Sequence, residues 1–491
     1  MATILPTTTL DFNNIQGDIL GGLPKRTETF FLFEIINATK FRKDLNKLIP
    51  LVKTVAGVLK DRKDIEDHRK KRLPGLLRLT GVNISFSHLG FIKLGIDDSS
   101  LRPPVDPHAG VLDPFELGQK IDAVINLGDP TKHNGDPDWD ESFLRGHIHG
   151  VIVITGDSHA SVNKKKSEIE VIFGAHTPNA SLKEITSIRG DVRPGDQAAH
   201  EHFGFLDGIS NPAVIGFDTV INPGPRPVNP GVLVTGHPGD PFEIGRADWA
   251  KDGSFLAFRY LFQKAPEFNT FLKKHPISED GNGKVLTPEE GSELLGARMF
   301  GRWKSGAPID ITPFKDDPIL AADSKRNNNF AFEGERSSQF KCPFAAHIRK
   351  TNPRDDLEVP PTGTGSVEAN RIMRRGIQFG PELTTHEKAM GITEHGRGVL
   401  FACYQSSLVN GFQLQQQTWS NNPKFPPFTG KPNELPGLDP IIGQGSRSMS
   451  GLDPLNPEAQ LALPNFVVPR GGEYFFAPSL HGLKGTIAAR T

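Results

Sequence analysis

Several residue types that would narrow the chemistry of this chain are scarce in its 491 residues. Cysteine occurs twice, as Cys342 and Cys403, each beside apolar residues. Two sulfurs make neither a disulfide framework nor a four-thiolate metal site, and they leave the redox compartment open. Neither sign of charge prevails: 56 Lys plus Arg face 57 Asp plus Glu, so no net field draws the chain to nucleic acid or to an anionic membrane. Small neutral or cationic partners remain. No apolar run approaches the roughly 20 residues of a membrane-spanning helix. The opening Met1-Ala-Thr-Ile-Leu-Pro6 has no charged region followed by an apolar stretch, the pattern of a secretory leader. Tyrosine and tryptophan are rare, at 3 and 4 residues, against 33 phenylalanines. A Phe-packed core is the first reading; an oxidising enzyme would also gain from few stray oxidisable rings.

What remains is the composition of an ordinary globular protein, with 36% hydrophobic and 23% charged residues. The length exceeds what one core usually serves, so two domains are expected. Thr29 to Ile36 reads as a buried strand, Phe41 to Val58 as an amphipathic helix, Val82 to His88 as a strand and Pro114 to Leu127 as helical. His147 to Ile154 follows as a strand and Ser161 to Phe173 as a helix. The Pro- and Gly-rich stretch Asn222-Pro-Gly-Pro-Arg-Pro-Val-Asn-Pro-Gly231 breaks both periods and marks a boundary, giving halves 1–221 and 222–491. A similar order then returns: strands at Ser254 to Phe262, Ile372 to Phe379, Val399 to Tyr404 and Glu473 to Ala477, with helices at Pro266 to His275, Thr287 to Trp303 and Leu408 to Trp419. The interleaving suits a sheet with helices on one face and leaves a parallel arrangement open.

Three segments carry unusual chemistry. In His200-Glu-His-Phe-Gly-Phe-Leu-Asp-Gly-Ile-Ser-Asn-Pro212, Gly204 and Gly208 bracket Asp207 and let the backbone approach a flat ligand. Apolar neighbours would raise the Asp207 pKa and suit acid/base work, although Asp-Gly alone is an ordinary turn. In Lys341-Cys-Pro-Phe-Ala-Ala-His-Ile-Arg-Lys-Thr-Asn-Pro-Arg354, His347 has the small, apolar neighbours of an iron-ligating imidazole, and Arg349 and Arg354 suit the carboxylates of a haem. Taken alone, the segment reads first as a core histidine beside surface arginines. In Arg371-Ile-Met-Arg-Arg-Gly-Ile-Gln-Phe-Gly380 the alternation predicts a strand on which a buried arginine needs an anionic partner.

In this order the three segments resemble the dye-decolorizing peroxidases, and Phe12-Asn-Asn-Ile-Gln-Gly-Asp-Ile-Leu20 is similar to the opening of the family's fungal branch. The resemblance implies an α+β fold of two ferredoxin-like halves, each an antiparallel sheet flanked by helices, with haem b held mainly by the second half. It implies a peroxidase that reduces hydrogen peroxide while oxidising dyes, phenols and other aromatic donors one electron at a time. Residue by residue, it implies His347 as the proximal iron ligand, Asp207 as the distal acid/base and Arg374 as the distal arginine. Strand alternation then sends Arg375 to the opposite face. Val399 and Phe401 match the apolar pair of the distal pocket, and Asp439 the carboxylate that accepts from the proximal imidazole. Trp419 matches a surface-exposed oxidisable tryptophan, whereas Phe379 stands where some fungal relatives carry an oxidisable tyrosine. Secretion is also implied. Two other classes compete. His147-Ile-His149 and His200-Glu-His202 are pairs that on a strand present two imidazoles to one face, as a non-haem metalloenzyme requires; a haem carrier is the third.

Overall fold

The computed structural model describes residues 9–102, 113–357, 367–427 and 434–489. Eleven strands carry the fold: β1 Thr27–Ile35, β2 Thr80–Phe86, β3 Gly150–Gly156, β4 Leu182–Asp191, β5 Ser254–Gln263, β6 Met373–Arg374, β7 Ile377–Phe379, β8 Gly398–Gln405, β9 Arg447–Met449, β10 Leu461–Leu463 and β11 Val467–Ala477. Nine of them form one sheet in the order β4-β1-β3-β2-β11-β5-β8-β6, with β7 also on β8, and β9 and β10 form a separate hairpin. Every pairing between named strands is antiparallel, which closes the parallel alternative.

Within each half the strands take the same spatial order: fourth, first, third, second. The halves meet where Phe476 of β11 pairs with Phe86 of β2. At the other extreme, β4 and β7 come together. A side chain on Gly190 of β4 would put its Cβ 2.7 Å from the Gln378 carbonyl oxygen, so the close approach requires glycine. The sheet thereby curls until its outer edges cover one another, which removes exposed edge strands.

Phenylalanine does the packing. In the first half, Phe41 on the helix Ala38–Leu48 stacks on Phe33 of β1 at 5.7 Å and on Phe173 of the helix His159–Phe173 at 5.1 Å. All three rings are fully buried, and truncating Phe41 to alanine would cost about 3–5 kcal/mol. A second core lies between the helices Ala265–Lys274 and Pro288–Phe300 and the loop at 203–205, where Phe268 meets Phe203 at 4.5 Å and Phe300 stacks on Phe205.

Several sequence readings change. The helix expected over 41–58 ends at Leu48, because Pro50 lacks the N–H that would continue it, and a new helix runs Val55–Lys70. The helix expected over 114–127 divides at Gly118, and the strand over 372–379 divides into β6 and β7. Strand β4 has no counterpart in the sequence reading: Lys183, Glu184 and Arg189 give an edge strand too polar for the two-residue alternation of a buried one. β11 starts six residues before the expected Glu473, because Pro469, Gly471 and Gly472 hide the pattern around an irregularity in its pairing with β5.

Candidate active site

One cavity collects most of the residues singled out above: Asp207, His347, Arg354, Arg374, Val399 and Phe401 all line it. On one wall stands His347, the first residue of the short helix His347–Thr351. Its Nδ1 lies 2.8 Å from Asp439 Oδ2, while Asp439 Oδ1 accepts from the amides of Ile441 and Ile442 at 2.8 and 3.0 Å. Burial pushes the Asp439 carboxyl up, but His347 and those amides outweigh it and hold the group below the ordinary carboxylate range. An ionised Asp439 places the imidazole proton on Nδ1, which leaves the Nε2 lone pair for a metal.

Opposite stands Arg374, at the end of β6, with Nη1 donating to Asp207 Oδ1 at 2.7 Å. Asp207 also accepts from its neighbour's amide, Gly208 N, at 2.6 Å. Gly204 and Gly208 both have positive φ, 96° and 80°, as the tight approach expected from sequence demands. The expected direction of the Asp207 shift is overturned. Burial does push its pKa up, but the Arg374 guanidinium, the Gly208 amide and His347 together hold it below the usual carboxylate value. Arg375 turns the other way, donating to the Asp18 and Leu20 carbonyls.

The loop that carries Asp207 is tied from within by a residue that sequence alone does not single out. Glu201, buried beside the cavity, accepts from Phe203 N and Phe205 N at 2.8 Å each and from Gln263 Nε2 at 2.5 Å. Burial among donors that are all uncharged pushes its carboxyl up to about 7. Phe300 links the two walls, stacked on Phe205 and edge-on to His347 at 6.2 Å.

Positive charge exceeds negative here. Arg302, Arg354 and Arg371 are all buried in the cavity wall and donate to oxygens that carry no formal charge. Arg302 Nη2 and Arg354 Nη2 share Asn328 Oδ1 at 2.9 and 2.6 Å, and Arg371 Nη2 donates to the Ser210 carbonyl at 3.1 Å. Burial lowers the pKa of Arg302 to about 9 and of Arg371 to about 10, and that of Arg354 well below its usual value. Arg354 Nε and both polar atoms of the Asn352 side chain are buried without a partner. The two donors among these atoms, Arg354 Nε and Asn352 Nδ2, are of the kind retained where an anion meets them. Arg302, Arg371 and Asn352 escape a sequence reading because nothing local distinguishes a cavity arginine or amide from a surface one.

Three expectations are corrected. Arg349 does not reach the cavity: its guanidinium is fully buried against Asp356, at 2.6 and 2.8 Å, and the Cys342 and Glu335 carbonyls, so its donors are consumed in holding the segment before His347. Trp419 is not at the surface; it is 5% exposed and stacked on Phe425, 5.4 Å between centroids. The His-x-His pairs form no metal site among the described residues. His149 Nδ1 accepts from Ile35 N and His202 Nε2 is bonded to the Phe379 carbonyl, so each pair has a ring nitrogen already engaged. The single cluster of three potential metal ligands among the described residues, Glu170, His176 and Glu184, excludes them and already holds Lys166 Nζ, 2.6 Å from Glu170 and 2.8 Å from Glu184.

Comparison with known proteins finds relatives over nearly the whole chain. Residues 14–194 match the family model described as the DyP dimeric alpha+beta barrel domain. The dye-decolorizing peroxidase msp1 of Mycetinis scorodonius is 41% identical over 98% of this chain and 88% of its own length, and AauDyP1 of Auricularia auricula-judae is 40% identical over 99% and 89%. A solved point mutant of the dye-decolorizing peroxidase from Pleurotus ostreatus superposes with a TM-score of 0.91 at 53% identity, covering 98% of this chain and 100% of that one. With identity and fold maintained over nearly the full length, the chain belongs to the dye-decolorizing peroxidase family of haem-containing oxidoreductases.

Proposed function

We propose that this peroxidase binds haem b between His347 and the Asp207–Arg374 pair and reduces hydrogen peroxide at the expense of dyes, phenols and other small aromatic donors. The observation that carries the reading is the pairing of a carboxylate-oriented imidazole with an acid–arginine couple across one cavity, in whose wall Arg302, Arg354 and Arg371 donate to uncharged oxygens. The donor set fits the group: His347 Nε2 is free for the iron, and Arg302, Arg354, Arg371 and Asn352 are available to its two carboxylates. Val399 and Phe401 supply apolar wall. When bound, haem supplies the redox-active iron at which the O–O bond is broken.

The protein's own part is proton and charge handling. Asp207, held ionised, takes a proton from one peroxide oxygen and returns it to the other, so that the departing oxygen leaves as water. Arg374 donates to the charge that develops as the bond lengthens. Glu201 and Gln263 keep the Asp207 loop in register, and Asp439 keeps Nε2 of His347 directed at the metal. The substrate range draws on relatives: one solved structure of the family, 43% identical, is a complex with 2,6-dimethoxyphenol. As a contact for bulky dyes Trp419 is withdrawn, since its ring is covered.

The repeated strand order supports two ferredoxin-like halves, divided at 221/222. The second half contributes most of the cavity wall; the first contributes the segment from Glu201 to Ser210. Among the described residues no helix is long and apolar enough to cross a membrane, and secretion is proposed from the fungal relatives. An absorption spectrum with and without peroxide tests the function. A Soret band with turnover of an aromatic donor supports it; a band without turnover makes the protein a carrier, and no band refutes haem binding.

A further inference from the structure

With Trp419 covered and Phe379 in place of a tyrosine, the cavity has no established outlet for an electron. A different tryptophan has the surroundings that oxidation requires. Trp139 is 1% exposed, and its Nε1–H donates to Asp129 Oδ2 at 2.8 Å. Among the described residues it is the only tryptophan whose indole N–H donates to a carboxylate; that of Trp303 goes to the Thr312 carbonyl. The other Asp129 oxygen, Oδ1, accepts from Arg259 Nη2 at 2.6 Å. Arg259, on β5, lines the cavity, lies 5.7 Å from the centroid of the Trp139 ring and has Nη1 buried without a partner. One buried side chain thus separates the cavity from an indole already bonded to a base.

We propose that Trp139 is a redox relay of this peroxidase, giving up an electron to the cavity as its indole proton passes to Asp129. Reduction of one peroxide to two waters takes two electrons and two protons. One of those electrons comes from Trp139: the N–H bond breaks, the proton forms an O–H bond on Asp129 Oδ2, and a neutral indolyl radical remains. The guanidinium beside the ring favours a neutral ring over a cationic one, because it attracts the π face of an uncharged indole and repels a positive one. Proton loss is therefore coupled to electron loss. Protonated Asp129 leaves Arg259 without its counter-charge, which favours return of the proton once the ring is re-reduced; because the ring is enclosed, the electron of an aromatic donor reaches it through the intervening protein rather than by contact. Enclosure keeps the radical from solvent in the interval. The proposal rests on peroxidase activity and is independent of any role for Trp419.

Electron paramagnetic resonance on haem-loaded enzyme frozen shortly after mixing with hydrogen peroxide tests it, with the Soret band and peroxide consumption recorded on the same samples. The expected result is a radical whose hyperfine pattern changes when ring-deuterated tryptophan is incorporated, and which is lost in W139F. It persists in the triple variant W249F/W303F/W419F, in which Trp139 is the sole tryptophan and is itself untouched. D129N should lose the neutral radical, and D129E should restore part of it. Loss of the signal in the triple variant overturns the proposal, as does a signal unaffected by deuterated tryptophan, which would point instead to Tyr474, whose hydroxyl donates to Asp122 at 2.5 Å. Absence of any radical while peroxide is consumed overturns it as well. Absence of both the Soret band and turnover in the parent would instead defeat the haem assignment.

Discussion

Asp439→Asn isolates what the carboxylate behind His347 does. Asp439 is fully buried and uses both oxygens, Oδ2 for His347 Nδ1 and Oδ1 for the amides of Ile441 and Ile442. Asparagine keeps one acceptor and replaces the other with a donor. If its carbonyl stays with the two amides, its NH2 faces Nδ1 and drives the imidazole proton to Nε2, which then has no lone pair for iron. If the side chain flips, the NH2 confronts two N–H groups. Either way a charge-assisted hydrogen bond worth about 1.5–3 kcal/mol is lost. Loss of a partner behind a metal ligand costs about 10–100-fold in affinity, a matching range at about 1.36 kcal/mol per decade. Haem affinity should therefore fall about 10–100-fold in D439N while the fold persists. Titration of haem into apoprotein, followed at the Soret band, measures it, with His347→Ala as the reference for loss of the axial bond. Parent affinity and a parent spectrum in D439N would refute the claim that Asp439 sets the tautomer.

Asp207→Asn should retain haem yet slow the reaction with peroxide by about 10²–10⁴-fold, because an amide does not relay a proton; stopped-flow mixing decides, and an unchanged rate would remove Asp207 from that role. Arg374→Leu should slow the same step by about 10²–10³-fold for want of charge stabilisation. Arg354→Leu should weaken haem retention with little effect on the peroxide step of the haem-bound fraction, measured by haem loss to an acceptor protein. Lys350 gives a pH dependence. Burial pushes its ammonium down to about 7, so between there and its ordinary 10.5 the unfolded chain binds more protons and stability rises with pH. The full rise is roughly 5 kcal/mol, and Lys350→Met should abolish it; equal slopes of unfolding free energy from pH 7 to 10 in parent and variant would contradict this. Trp419→Phe should leave turnover of bulky dyes close to the parent's, since the ring is covered; a large loss in steady-state dye assays would return Trp419 to the electron path.

Local chemistry was legible in the sequence where the signal is local. Gly204 and Gly208 around Asp207 announced a tight backbone approach, and the alternation at 371–380 the separation of Arg374 from Arg375. Resemblance supplied the partnership of His347 with Asp439, 92 residues apart, which no periodicity encodes. Tertiary structure decided which charges face the cavity. Arg349 and Arg354 look alike in the chain, yet one closes on Asp356 and the other opens onto the cavity, because that depends on which carboxylate folding brings within reach. The same holds for Asp207, whose apolar neighbours in sequence argued for a raised pKa until Arg374, 167 residues away, arrived to lower it. Burial of Trp419, and the enclosure of Trp139 between Asp129 and Arg259, were likewise settled by long-range packing. Short-range order follows from backbone sterics and side-chain periodicity, whereas solvation and charge pairing are set by neighbours that only the folded chain assembles.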